Sequence, residues 1–140
     1  MTAALNIARF TGLTADSRRV VEGGLFVALA GEQADGRDYI GQAIANGAAA
    51  VLTDLRPGIE AWQGQIDILQ DPDPRHRLAQ FAAAYYGFRP STAALVTGSS
   101  GKTSTVEFAR QIWTTLNRPA ASVGTLGVIA PGAALHGGLT

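Results

Sequence analysis

Lysine occurs once in this sequence, at Lys102, within Val96-Thr97-Gly98-Ser99-Ser100-Gly101-Lys102-Thr103-Ser104. Ten arginines carry every other strong positive charge. Glycines ahead of a Lys-Thr pair, where an apolar run gives way to a helical pattern, suit the binding of a nucleotide phosphate. Glycine lets the backbone come close, a helix N-terminus presents unpaired N–H groups, and the lysine adds a mobile positive charge. A hydroxyl beside the lysine can hold a magnesium ion on the phosphates. The spacing is the shorter G-x-x-G-K-[ST], because the full G-x-x-x-x-G-K-[ST] pattern wants a glycine where the chain has Val96. The competing reading is a plain Gly/Ser turn before a helix.

The flanking elements favour the phosphate loop. Ala93 to Thr97 reads as a short buried strand. After the lysine, Val106, Ala109, Ile112, Trp113 and Leu116 recur at helical spacing and predict one apolar stripe, with Trp113 in the core. Ala120 to Gly124 follows as another strand, so this part reads as one βαβ unit. Gly87-Phe88-Arg89-Pro90-Ser91 separates it from what precedes. The boundaries expected are a first domain over 1–88 and the start of a second over 89–140.

In the first segment short strands and helices alternate. Leu25 to Leu29, Ala49 to Thr53 and Ile66 to Leu69 read as strands. Tyr39, Ile40, Ala43 and Ile44, ended by Gly47, predict a short helix. Asp73 is placed to cap a further helix with Pro74 in its first turn, and Leu78, Phe81, Ala82 and Tyr85 form its inward stripe. Such alternation implies an α/β fold with at least partly parallel pairing.

Composition excludes several classes. Apolar residues make up 46% of the 140, which suits a folded core. Net charge is zero with no basic face, which argues against a nucleic-acid partner. No apolar run has the length of a membrane span, and Met1 to Phe10 shows no secretory signal, so cytoplasm is the expected location. Without cysteine there are no disulfides or thiolate metal sites. Neither histidine has metal-ligand spacing: His76 is expected on a solvated helix start and His136 in a glycine-rich loop.

A second constellation lies near the N-terminus. Asp16-Ser17-Arg18 precedes the Gly24-Leu25-Phe26-Val27-Ala28 strand, and Gly31-Glu32-Gln33-Ala34-Asp35-Gly36 follows it. Taken alone these are two ordinary polar turns. Together with Thr97 to Thr103 they resemble the Mur ligases of peptidoglycan synthesis, whose small first domain carries D-S-R, G-x-L-F-V-A and G-x-x-x-D-G before an ATPase domain with T-G-x-x-G-K-T. The resemblance runs from the first polar loop to the last residue, and the shortened glycine spacing is the family's own variant. Ser122-Val123-Gly124-Thr125-Leu126-Gly127 is similar to the S-x-G-T-x-G of the tripeptide synthetases, and Gly138-Leu139-Thr140 to the start of their L-T-T-P loop.

The resemblance implies an ATP- and Mg²⁺-dependent ligase that adds meso-diaminopimelate or lysine to UDP-MurNAc-L-Ala-D-Glu through an acyl phosphate. It implies that Ser17, the Ala15 backbone, Glu32, Gln33, Ala34 and Thr140 contact the UDP-linked substrate, with Glu32 acting through its backbone because an acid beside a diphosphate is unfavourable. Arg18 is open between substrate and a neighbouring carboxylate. In the loop, Gly98, Ser99, Ser100, Gly101 and Lys102 would cradle the ATP phosphates. Lys102 would act on the β/γ oxygens, Thr103 would ligate magnesium, and Ser104 would support it.

Rival readings are the D-Ala-D-Ala adding ligase, which usually shows N-x-N-N in place of G-T-x-G, and folylpolyglutamate synthetase, which lacks the D-S-R first domain. A third is a UDP-sugar binding module without catalysis. By the resemblance, a magnesium-binding acid, a carbamylated lysine and an amino-acid-binding domain would follow residue 140. The 140 residues alone are therefore expected not to ligate, and an unfinished sheet edge is expected to invite self-association.

Overall fold

The structure, a computed structural model, describes residues 6–31 and 34–135. Chain contacts divide it into two compact units, Met1–Arg89 and Pro90–Thr140.

The first unit is built on a four-stranded parallel sheet in the order β1 (Leu13–Thr14), β2 (Leu25–Val27), β3 (Ala50–Thr53), β4 (Asp67–Gln70). Parallel neighbours need a crossover on a sheet face, and such sheets are buried on both sides. The short apolar runs answer that demand, since every residue of β2 and β3 is buried. Side chains of one strand alternate between faces. Phe26, Ala28 and Val51 therefore join Ile40 and Ala43 of helix α1 (Ile40–Ala45), together with Val20 and Ile59, on one face. Leu25, Val27, Ala50 and Leu52 meet Ile7 and Phe10 on the other, where Leu78, Phe81 and Tyr85 of helix α2 (Pro74–Tyr86) cover them. The α/β class and the three longer strands agree with the expectation from sequence. Asp73 does cap α2, its carboxylate accepting from the His76 N–H at 3.0 Å with Pro74 in the first turn.

Trp62, to which the sequence assigns nothing, packs half-buried against the first of these clusters.

The second unit departs from the expected βαβ arrangement. Helix α3 runs over Lys102–Thr115. Ala93 to Thr97 forms no strand and is exposed, Leu95 fully so. Among the described residues no strand lies beside it, and an extended segment with no ladder partner has nothing to bury it. The strand after the helix is shorter than expected, β5 (Ser122–Gly124), and pairs antiparallel with β6 (Gly127–Ala130), which pairs antiparallel with β7 (Ala133–Leu135). The reason is local: Thr125-Leu126 is a two-residue link, long enough only for a hairpin. The expected buried stripe of α3 is also corrected. Val106 is half-buried, but Ala109, Ile112, Trp113 and Leu116 are exposed, so Trp113 is not a core residue here.

Gly36 shows how tightly the loop after β2 is built. A Cβ there would lie 2.7 Å from the Leu29 backbone nitrogen and 2.8 Å from its carbonyl oxygen, neither of which can swing aside. Gly36→Ala is expected to cost about 1–3 kcal/mol of stability by overpacking, read as a lower urea midpoint with an unchanged slope.

Candidate functional site

All four parallel strands point the same way, so the loops after them share one edge, the side on which open α/β sheets bind ligands. Ala15 is exposed immediately after β1. Ala34 is exposed in the loop after β2, which is closed by an Ala30–Asp35 bridge and by the Gly31 N–H donating to the Ala34 carbonyl at 2.9 Å. Glu32 and Gln33 lie outside the described residues, as do His136 and Thr140. His76 is exposed on the first turn of α2, as its sequence context implies.

Ser17 behaves differently from an open ligand group. It is 6% exposed, and its hydroxyl donates to Gln42 Oε1 at 2.6 Å while its carbonyl accepts from Asn46 Nδ2 at 2.9 Å. Those contacts tie the loop after β1 to α1. Arg18 resolves toward a carboxylate: Nε and Nη2 donate to the two oxygens of Asp16 at 2.9 and 2.8 Å, which holds Asp16 below the usual carboxylate range.

Sequence reasoning did not anticipate the ion-pair lattice that joins the next two loops. Arg56 reaches Asp54 at 2.7 Å and Asp35 at 3.1 Å, while Arg37 lies 3.5 Å from Asp54 and donates to the Pro57 carbonyl. Burial pushes the Asp54 carboxyl up, but the Arg56 side chain and N–H outweigh it, and the net shift is downward. Arg75 of α2 donates to the Ala30 carbonyl at 2.6 Å. Ala30 and Asp35 are thus held from two neighbouring segments. Asp-Gly-Arg in one stretch and Asp-x-Arg in another were visible as residues, but their pairing depends on adjacent strands.

In the second unit, Gly98 to Gly101 form the loop leading into α3, and Lys102, Thr103 and Ser104 are the first residues of the helix. Gly101 occupies its N-cap with φ 77°, a left-handed conformation that favours glycine. No side chain caps the helix, so its first N–H groups have no side-chain acceptor at the N-cap. The Lys102 ammonium folds back to donate to the Gly98 carbonyl. A cleft of about 170 Å³ beside the loop is lined by Lys102, Thr103, Glu107, Ser122 and Thr125, among others. Across it the Thr103 and Thr125 hydroxyls are 2.9 Å apart. Thr125 entered the sequence reading only as part of a pattern, yet it faces the hydroxyl expected to meet magnesium.

Among the described residues no three His, Asp or Glu side chains gather as a metal nest. In a phosphate loop the hydroxyl after the lysine ligates magnesium on the phosphates, and Thr103 beside Lys102 is the residue that would supply it.

The parallel sheet of the first unit, with helices on its faces, defines an α/β protein, and its second unit carries a glycine-lysine turn at a helix N-terminus. Within that class, a family model described as "Mur ligase family, catalytic domain" matches residues 9–86, which span the sheet of the first unit. This chain belongs to the Mur ligase family. It is 48% identical over 130 residues to the UDP-N-acetylmuramoyl-L-alanyl-D-glutamate–2,6-diaminopimelate ligase of Chelativorans sp. (strain BNC1), covering 93% of this chain and 26% of that protein. The ligase of the same name from Agrobacterium fabrum (strain C58) is 46% identical, with 92% and 25% covered. The chain therefore spans about a quarter of the length of these relatives. Among solved structures, the MurF ligase of Thermotoga maritima in complex with ADP superposes with a TM-score of 0.58 at 30% identity, covering 79% of this chain and 24% of that one. MurF from Acinetobacter baumannii gives 0.52 at 33%, covering 75% and 22%.

Two outcomes follow from the first-unit geometry. Ser17→Ala should lower unfolding stability by about 1 kcal/mol in urea titration, because the bond to Gln42 is lost. Asp71 accepts from the Asp73 N–H and from Arg77 at 2.6 Å, and its carboxyl is held low by these two in that order. A carboxylate with a depressed native pKa stabilises above its unfolded value, and that contribution is lost as pH falls through the native one. The stability gap between wild type and Asp71→Asn should therefore be full at pH 7 and shrink below about pH 4 in parallel melts.

Proposed function

We propose that this chain is the N-terminal part of an ATP-dependent ligase that joins 2,6-diaminopimelate to UDP-MurNAc-L-Ala-D-Glu, working in the cytoplasm where both nucleotides are made. The observation that carries the reading is the cleft at the α3 N-terminus, where Lys102 and Thr103 face the Gly124-Thr125-Leu126-Gly127 turn. The relatives at 46–48% identity, both 2,6-diaminopimelate ligases, supply the substrate class.

In this reading residues 1–88 hold the UDP end of the substrate and residues 89–140 begin the ATP-binding domain. Ala15, Ser17, Glu32, Gln33, Ala34 and Thr140 are the proposed substrate contacts. For Ser17 to present its hydroxyl it must release Gln42; otherwise it serves by shaping the loop through Asn46. Gly98, Ser99, Ser100 and Gly101 bring backbone N–H groups to the phosphates. Lys102 exchanges its Gly98 contact for the β/γ oxygens, and Thr103, supported by Ser104, holds Mg²⁺.

The chemistry balances in two displacements. A D-glutamate carboxylate oxygen attacks the γ-phosphorus, the bond to the bridging oxygen breaks, and ADP leaves. The neutral amine of the diamino acid then attacks the acyl carbon, phosphate leaves with the bonding pair, and the nitrogen gives up a proton to form the amide. Bound magnesium supplies charge neutralisation on the phosphates. Lys102 does the same from the loop, and positioning with charge neutralisation dominates phosphoryl transfer.

Calorimetric titration with UDP-MurNAc-L-Ala-D-Glu should give saturable binding that UDP competes away. Lys102→Ala should retain this binding and lose nucleotide binding, and in an enzyme extended to the relatives' length it should abolish ligation. Unchanged turnover in that variant would sink the loop assignment. Tighter binding of the UDP-MurNAc-tripeptide than of the dipeptide would point instead to the D-Ala-D-Ala adding reaction.

A further inference from the structure

Glu107 has no part in the chemistry above, yet it is the one acid lining the cleft of the second unit. It stands one helical turn beyond Thr103 on the same α3, and residues four apart share a face. Its side chain is only 16% exposed. One carboxylate oxygen accepts the Ser122 hydroxyl at 2.5 Å, and the other accepts Nε and Nη2 of Arg110 at 3.1 and 2.7 Å. Ser122 is 5% exposed and opens β5, the strand that runs into Thr125. The carboxyl is held below its usual range by Arg110 first and Ser122 second, so it is ionised near neutral pH.

The β5–β6 hairpin hydrogen-bonds to itself, which fixes its own register but not its height against α3. Glu107–Ser122 and Thr103–Thr125 are the side-chain hydrogen bonds recorded between α3 and the β5–β6 hairpin among the described residues. The first is charge-assisted and largely shielded, whereas the second joins two neutral hydroxyls. The stronger bond sets the register in which the weaker one can form.

We propose that Glu107 is a positioning residue of the phosphate loop. Through Ser122 it docks the β5 turn onto α3, so that Thr125 is held against the Thr103 hydroxyl, the group that would ligate the magnesium accompanying a nucleoside polyphosphate. The proposal rests on the phosphate-loop reading of Lys102 and Thr103. Arg110 keeps Glu107 ionised and aimed, and takes no part in binding nucleotide.

The test is a titration of this 140-residue chain with fluorescent N-methylanthraniloyl-ADP, in Mg²⁺ and again in EDTA. Wild type should bind more tightly with Mg²⁺, and Lys102→Ala should bind in neither. Glu107→Leu should weaken binding in Mg²⁺ by about tenfold and leave EDTA binding little changed, so the metal enhancement collapses. Glu107→Gln, which keeps an acceptor for Ser122, should recover most of it. If Glu107→Leu does not fold by circular dichroism, Ser122→Ala removes one hydroxyl and must show the same selective loss. Equal weakening in Mg²⁺ and EDTA would reduce Glu107 to a stability role and overturn the proposal. So would a folded variant with its metal enhancement intact. Nucleotide binding that is absent, or indifferent to Lys102, removes the phosphate-loop reading itself and this inference with it.

Discussion

Four strands of only two to four residues can be held parallel when each return connection crosses a face of the sheet and covers it. That requirement shapes the first unit. It makes β2 and β3 almost wholly apolar; the return connections, α1 among them, cover one face, while Ile7, Phe10 and α2, which follows β4, cover the other. Because the strands then all run the same way, four polar loops arrive at one edge. The substrate-binding candidates Ala15 and Ala34 stand on adjacent loops of that edge because of this, and no contact between them is needed to bring it about.

The edge is stiffened by charge. Asp35, Arg37, Asp54 and Arg56 connect the loops after β2 and β3, and Arg75 reaches the same region from α2. Most of these groups are partly exposed, where an isolated ion pair contributes little stability. Their effect lies in geometry: Arg56 ties Asp35 to the loop after β3, Arg37 reaches Asp54, and Arg75 ties Ala30 to α2. The close approach of Gly36 to Leu29 acts in the same sense.

The second unit is organised around a helix end. An uncapped N-terminus with a left-handed glycine, one lysine and two facing hydroxyls concentrates donors and positive potential beside one cleft. The family match falls on residues 9–86, outside this loop, while the similarity to the two diaminopimelate ligases extends over more than nine-tenths of the chain and takes the loop in. Membership and loop chemistry therefore rest on different stretches of the same chain.

Local chemistry alone made a good part of this legible. Apolar runs bounded by turn residues marked β2, β3 and β4, because residues between two covered sheet faces are mostly apolar; Thr53 is the buried polar residue of β3, and β4 keeps polar, exposed ends. Asp73-Pro74 marked the start of α2, since capping and the proline ring act within one turn. The Gly-x-x-Gly-Lys-Thr spacing marked the loop, since phosphate binding uses consecutive backbone groups. Other features were settled by tertiary structure. Ala93–Thr97 has the composition of a strand but lacks a neighbour to pair with among the described residues, and a strand is a property of two segments. The α3 stripe has helical period but stays exposed, because periodicity says which residues share a face and not what covers it. Ser17 turned inward to Gln42, Arg18 closed on Asp16, and Glu107 met Ser122, each through a partner whose side-chain position the sequence does not encode locally. The sequence by itself determined the class of fold and the place of the glycine-lysine turn at the start of α3. Tertiary structure decided which hydroxyls and charges face one another, because hydrogen bonds act over about 3 Å and that distance between remote residues exists only after the chain has folded.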